Sequence, residues 1–133
     1  MDARFSFEVD PSRDFVRITM SGLFGLDEIA AFLEARRQAH RRLQCAPNAH
    51  LTLYDLRGLK IQPQETVAAF REMLAAPDYR SRRLAFVAGQ TLARSQLLRA
   101  LGSRDARCFD DPIQAEAWLF RESAPATRRS AAG

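Results

Sequence analysis

A chain of 133 residues, 47% hydrophobic and 27% charged, is sized for one domain whose core needs neither disulfide nor metal. No apolar run is long enough to cross a bilayer, and the opening MDARFSFEVD carries acids where an export signal would carry a continuous apolar core. The sequence therefore reads as that of a cytoplasmic protein without a transmembrane segment. The formal charge is +4, yet Arg128 and Arg129 sit in an acid-free tail, and the remainder holds 18 basic residues against 16 acidic. So small an excess speaks against a nucleic-acid partner.

In chain order, Phe5, Phe7 and Val9 alternate with polar residues, the period of a half-buried strand. Asp10 to Asp14 is a turn around Pro11. Val16, Ile18 and Met20 then alternate with Arg17 and Thr19, so the two strands form an antiparallel hairpin. From Leu26 to about Leu43 the period becomes helical, with Leu26, Ile29, Ala30 and Leu33 on one face and Asp27 and Glu28 in the first turn, where the dipole favours acids. His50 to Leu56 reads as a third strand. A second helix follows, with Pro63 near its first position, Val67, Phe70, Arg71 and Leu74 on one stripe, and Pro77 beyond its end. Leu84 to Ala88 is almost continuously apolar, as a central parallel strand covered on both faces should be.

Thr91 is placed to cap a third helix that carries Leu97, Leu98 and Leu101 and stops at Gly102. Ala106 to Phe109 is the last strand. Asp111, Pro112 and Gln114 open a fourth helix containing Trp118. From Ser123 the composition predicts a disordered tail. The expected fold is therefore α/β in the order β-β-α-β-α-β-α-β-α. It has five mostly parallel strands and forms one domain over residues 1–122 with a tail over 123–133. Its predicted core is Phe7, Ile18, Ile29, Leu33, Leu53, Phe70, Leu74, Phe86, Leu98 and Trp118.

Motifs that carry chemistry are sparse. Cys45 and Cys108 lack metal-ligand spacing and read as free thiols in a reducing compartment. The cluster Arg36, Arg37, His40, Arg41 and Arg42 reads as a solvated helix end, with no aromatic residue interleaved. Neither His40 nor His50 has an assignable nucleophile beside it, so no catalytic residue, metal or cofactor is expected. The ligand-binding candidates are Asp55 and Arg57 after strand three and Gly89 and Thr91 after strand four, because open α/β sheets bind ligands at the carboxyl ends of parallel strands. The alternative for Asp55 is a plain ion pair with Arg57.

The stretches SGLFGLDEI, LYDLRGL, RRLAFVAG and ARCFDDPIQAEAWL give the chain, over residues 5 to 121, a resemblance to SpoIIAA-like (STAS-like) proteins. That family shares a βα superhelix with CRAL-TRIO lipid-binding domains. The resemblance implies a binding or regulatory module, docking a protein partner or an apolar, lipid-like ligand. In the anti-sigma-factor antagonists of this type a serine opens the helix after strand three and accepts phosphate. Here that stretch is LKIQPQET, with Pro63 at the helix start and Thr66 as the nearby hydroxyl, so no such switch is expected. The reading is of a non-enzymatic module; the alternative is a small enzyme with a site around Asp55.

If the crossover helices share one face of the sheet, the opposite face is left for another partner. Placing Leu51 and Leu53 with Val16 and Ile18 puts Arg17, Thr19, His50, Thr52 and Tyr54 on that second face with the apolar Val87. This surface is expected to bury a homodimer contact or a bound ligand; the alternative is that a terminal helix or the tail folds across it.

Overall fold

The computed structural model describes residues 2–89 and 106–121. The hairpin forms as its alternation predicts. Strand β1 (Arg4–Asp10) runs through a 3₁₀ turn at Pro11–Arg13 into β2 (Phe15–Gly22). The turn is held by Asp10, whose carboxylate accepts from the Ser12 N–H and hydroxyl and from Arg13. Helix α1 (Leu26–His40), β3 (Leu51–Leu59), α2 (Gln64–Ala75), β4 (Arg83–Val87) and β5 (Ala106–Phe109) follow. A last helix, α3, spans 112–121. The expected third helix, with Thr91 and Leu98, and the tail lie outside the described residues.

The strands form one sheet in the order β1-β2-β3-β4-β5. β1 pairs antiparallel with β2, and each later neighbour is parallel. Sequential order and a single antiparallel edge strand are what the reading of the sequence required.

Three packing faces, those of two helices and of the sheet, depart from the expected ones. In α1 the buried residues are Ile29, Phe32, Arg36 and Ala39, while Leu26 and Leu33 are 56% and 40% exposed. Two apolar stripes share Ile29, and the one bearing the larger ring prevails. Phe32 meets Phe5, Phe7, Phe24 and Phe70 at centroid distances of 5.3–6.4 Å, and such aromatic burial outweighs that of one leucine. In α2 the buried set is Thr66, Met73 and Leu74, with Phe70 partly buried against the core and Arg71 exposed. Phe7 is likewise only partly buried.

The third departure concerns the faces of the sheet. α1 and α2 do share one face, over Val16, Ile18, Met20, Tyr54, Leu56, Leu84 and Phe86. The opposite face is not left open: α3 crosses it, setting Ala115, Trp118 and Leu119 against Phe15, Leu51, Leu53, Ala85 and Val87. Residues of β3 therefore divide in the reverse of the expected sense. Val16 lies beside Thr52 and Ile18 beside Tyr54, while Arg17 lies beside Leu53. Alternation could not settle this, because all of Leu51 to Leu56 is buried, and a slip of one residue exchanges the two faces.

Leu53→Ala and Phe86→Ala, which empty opposite sides of the sheet, should each cost about 2–5 kcal/mol in urea unfolding. Leu33→Ala should change stability by less than about 0.5–1 kcal/mol.

Candidate functional site

Asp55 and Arg57 lie on the α3 side of β3, two residues apart and so on one face. Arg57 grips the carboxylate as a fork, Nε donating to Oδ1 at 2.9 Å and Nη2 to Oδ2 at 2.7 Å. The Arg57 backbone N–H adds a third donor at 3.3 Å, and Arg17 Nη2 stands 3.7 Å from Oδ2. The Arg57 hydrogen bonds, more than anything else, hold the Asp55 carboxyl below the usual carboxylate range, against the opposing effect of burial. A general acid at neutral pH would need the opposite shift. The pair continues into a chain of alternating charge. Arg17 also approaches Glu116 at 3.8 Å, and Arg13 reaches Glu116 at 3.3 Å and Asp10 at 2.9 Å. This chain joins the hairpin, β3 and α3.

Of the other ligand candidates, Gly89 is exposed just past β4, and Thr91 lies outside the described residues. The six interface candidates do not share a surface. Thr52 and Tyr54 face α1 and α2, where the Tyr54 ring stacks on Phe86 at 5.1 Å. Val87 is enclosed beneath α3. Arg17 and Thr19 remain on the α3 side, with Thr19 exposed. His50 is buried at the amino end of β3. The homodimer surface built from these residues is therefore corrected: Tyr54→Asp or Val87→Asp would charge the core.

Sequence reasoning missed what lies at the carboxyl ends of β2 and β3. Gln62 is buried and braces two loops. Its Nε2 donates to the Gly22 carbonyl at 3.0 Å and the Lys60 carbonyl at 2.5 Å, and its Oε1 accepts from the Phe24 N–H at 2.8 Å. The Lys60 N–H adds a bond to Gly22 O at 3.1 Å. Gly22 has φ +85°, and a Cβ there would collide with the Asp2 carbonyl, so only glycine fits this turn. Leu23 and Ile61 project from the braced loops, the latter 52% exposed, and Leu26 is exposed at the start of α1. Apolar residues flanking a glutamine carry no pattern that distinguishes such a brace from an ordinary loop.

A second missed arrangement sits at the opposite end of the sheet. His40 and His50 are ten residues apart, yet their Nε2 atoms are 3.1 Å from each other. His40 Nδ1 lies 2.7 Å from the Arg36 carbonyl, which can only accept, so Nδ1 carries a proton. Burial, chiefly, pushes the His40 pKa down, and a neutral ring then leaves Nε2 as an acceptor for the His50 N–H. Ser81 Oγ stands 3.2 Å from His50 Nε2 and 2.5 Å from Thr52 Oγ1. The two rings border an open cleft of about 490 Å³ with Leu43, Cys45, Asn48 and Tyr79. Burial raises the Cys45 thiol pKa above its ordinary value, which disfavours the nucleophilic thiolate. Among the described residues, no group of three or more His, Cys, Asp or Glu is arranged to hold a metal ion.

No protein-family profile matches the chain, and no curated protein does. Among solved structures it is similar to an uncharacterized protein of the DUF3478 family from Shewanella loihica PV-4, itself described as having a SpoIIAA-like fold. The match has a TM-score of 0.65 at 12% identity and covers 88% of this chain and 93% of that one. The fold is SpoIIAA-like.

Within the SpoIIAA-like fold, the start of α2 departs from what a phosphoacceptor needs. Pro63 is the N-cap residue, and Thr66 is fully buried, its hydroxyl donating to the Phe24 carbonyl at 2.7 Å. A kinase requires an exposed hydroxyl. Incubation of folded protein with a serine/threonine kinase should leave Thr66 without phosphate by intact mass and peptide mapping. Thr66→Val, which strands the Phe24 carbonyl, should cost about 1–3 kcal/mol.

Stability should depend on pH in two separate windows. The lowered His40 pKa means that its neutral form stabilises the fold above the unfolded value, about 6.5. That contribution is lost as pH falls through the folded pKa, and His40→Gln should remove this step from a curve of stability against pH. The lowered Asp55 pKa places its contribution above an unfolded value of about 3.9, to be lost as pH falls further. The difference between wild type and Asp55→Asn should therefore be full at neutral pH and shrink below about pH 4.

Proposed function

We propose that this chain is a non-enzymatic docking module that engages a protein partner through the loops at the carboxyl ends of β2 and β3. The observation that carries the reading is the Gln62 brace, with Leu23 and Ile61 exposed on the loops it ties and Leu26 exposed at the adjoining start of α1. A braced apolar surface loses little conformational freedom on binding, and preorganisation of this kind strengthens association. The buried Thr66 hydroxyl supports docking that is not switched by phosphate at this position.

Two neighbouring readings have less support. An acid–base role for Asp55 is disfavoured by its Arg57 fork and lowered pKa. An apolar ligand within the sheet layer is disfavoured by the close packing of Phe24, Phe32 and Phe86, each nearly or fully buried. A cytoplasmic setting fits Cys45 and Cys108, which form no disulfide among the described residues, and no helix among those residues is long and apolar enough to cross a membrane.

A photo-crosslinking residue at position 61 should trap a protein in cells that the same residue at position 12 does not. With that protein purified, Leu23→Asp combined with Ile61→Asp should weaken binding by at least about tenfold. The melting temperature should stay within a few degrees of wild type. Equal trapping at both positions, or unchanged affinity of the folded double variant, would overturn the reading.

A further inference from the structure

The geometry points to a homodimer formed edge to edge through β1, two copies running antiparallel in the register centred on Ser6. This surface is separate from the braced loops. Among the described residues β1 is the terminal strand of the sheet and pairs on one side only, in an unbroken register from Arg4↔Ser21 to Asp10↔Phe15. None of those residues pairs with the backbone donors and acceptors of its other side. Natural edge strands are usually protected from pairing by proline, a bulge, charged side chains (lysine above all), an inward charge or a very short length; β1 carries Arg4 and Glu8 but no lysine. β1 is seven residues, RFSFEVD, without proline, and its inward residues are Phe5, Phe7 and Val9, packed on the core. The opposite edge, β5, is four residues.

The side chains of β1 say which occupant fits. Arg4, Ser6 and Glu8 are exposed on the face away from α1 and α2. In a twofold antiparallel pairing about Ser6, Arg4 stands opposite Glu8 of the second copy, and Glu8 opposite its Arg4. Phe5 and Phe7 stand opposite each other on the other face. Of the registers centred within the strand, this one pairs Arg4 with Glu8 twice; the register centred on Phe7 would set Arg4 opposite Asp10, whose carboxylate is already engaged by Ser12 and Arg13. A C2 interface requires this kind of self-complementarity, and cross-strand opposite charges stabilise where like charges repel.

Both charges are available. Arg4 makes no ion pair among the described residues, and Glu8 has only Arg17 at 4.0 Å, with 74% of its side chain exposed. The ladder ends before Asp10, which this register would bring opposite Asp2. Asp10 is drawn back onto Ser12 and Arg13. Joined in this way, two five-stranded sheets become one continuous sheet, with the braced loops of both copies free.

The test is sedimentation velocity of the full chain over about 1–100 µM, a range that spans the affinities accessible to a modest interface. The expected result is a reversible dimer. Arg4→Glu and Glu8→Arg should each weaken it by about tenfold or more, since each change replaces two attractive pairs by two repulsive ones. The double reversal Arg4→Glu with Glu8→Arg re-creates the pairs in opposite sense and should restore most of the affinity. Thermal melts of all variants should stay close to wild type, since both side chains are exposed. A wild type that stays monomeric would overturn the proposal, its edge then being covered by the chain's own tail or left for another protein's strand. A dimer insensitive to both single changes, or single-variant losses that the double reversal does not repair, would overturn it equally.

Discussion

Burial of the two central parallel strands on both faces is the constraint on which the rest of this structure depends. β3 and β4 have no solvent side: Leu53 and Val87 are fully buried on one face, and Tyr54 and Phe86 nearly so on the other. A parallel pair of this kind is stable only when both faces are covered. The crossovers place α1 and α2 on one side, and α3 must return across the other. Its cover reaches the border of β2, where Glu116 meets Arg13 and Arg17. Beyond that border the sheet surface is polar, carrying Arg4, Ser6, Glu8 and Thr19. The same ion chain captures Asp55, a residue that in another setting would have been available to a ligand.

The buried polar groups serve this architecture at both ends of the sheet. Gln62 and Thr66 satisfy the backbone of the loops that leave β2 and β3. His40, His50, Ser81 and Thr52 form a connected set where α1 hands over to β3 and β4 begins. Polar groups taken out of water must be paired, and the pairing fixes the loops that contain them. Among the described residues, the large apolar side chains left exposed are Leu23, Leu26, Leu33, Ile61 and Ile113.

How legible the molecule was depended on how many faces of each element were buried. β1 exposes one face and β2 part of one, and the alternation of Phe5 to Val9 and of Val16 to Met20 was assigned to the correct sides. For β3 the periodic signal vanishes, and Thr52 and Tyr54 were assigned to the wrong side. α1 offered two overlapping stripes, and the aromatic one prevailed through contacts with β1 and α2 that lie far away in sequence. The Asp55–Arg57 pair was among the sequence candidates, as an ion pair or a ligand site. The Gln62 brace and the His40–His50 contact left no trace in the sequence, since neither partner has a fixed spacing from the other.

The sequence by itself determined the order of the described elements, the antiparallel hairpin, the parallel strands that follow and hence the SpoIIAA-like fold. Local periodicity, turn residues and short connections suffice for that, because each acts over a few neighbours along the chain. Only the tertiary structure decided which face of β3 meets α1, that α3 closes the opposite side, and which polar residues are spent on bracing. Those outcomes follow from packing between segments distant in sequence, where the volume of a ring or the reach of an amide outweighs local pattern.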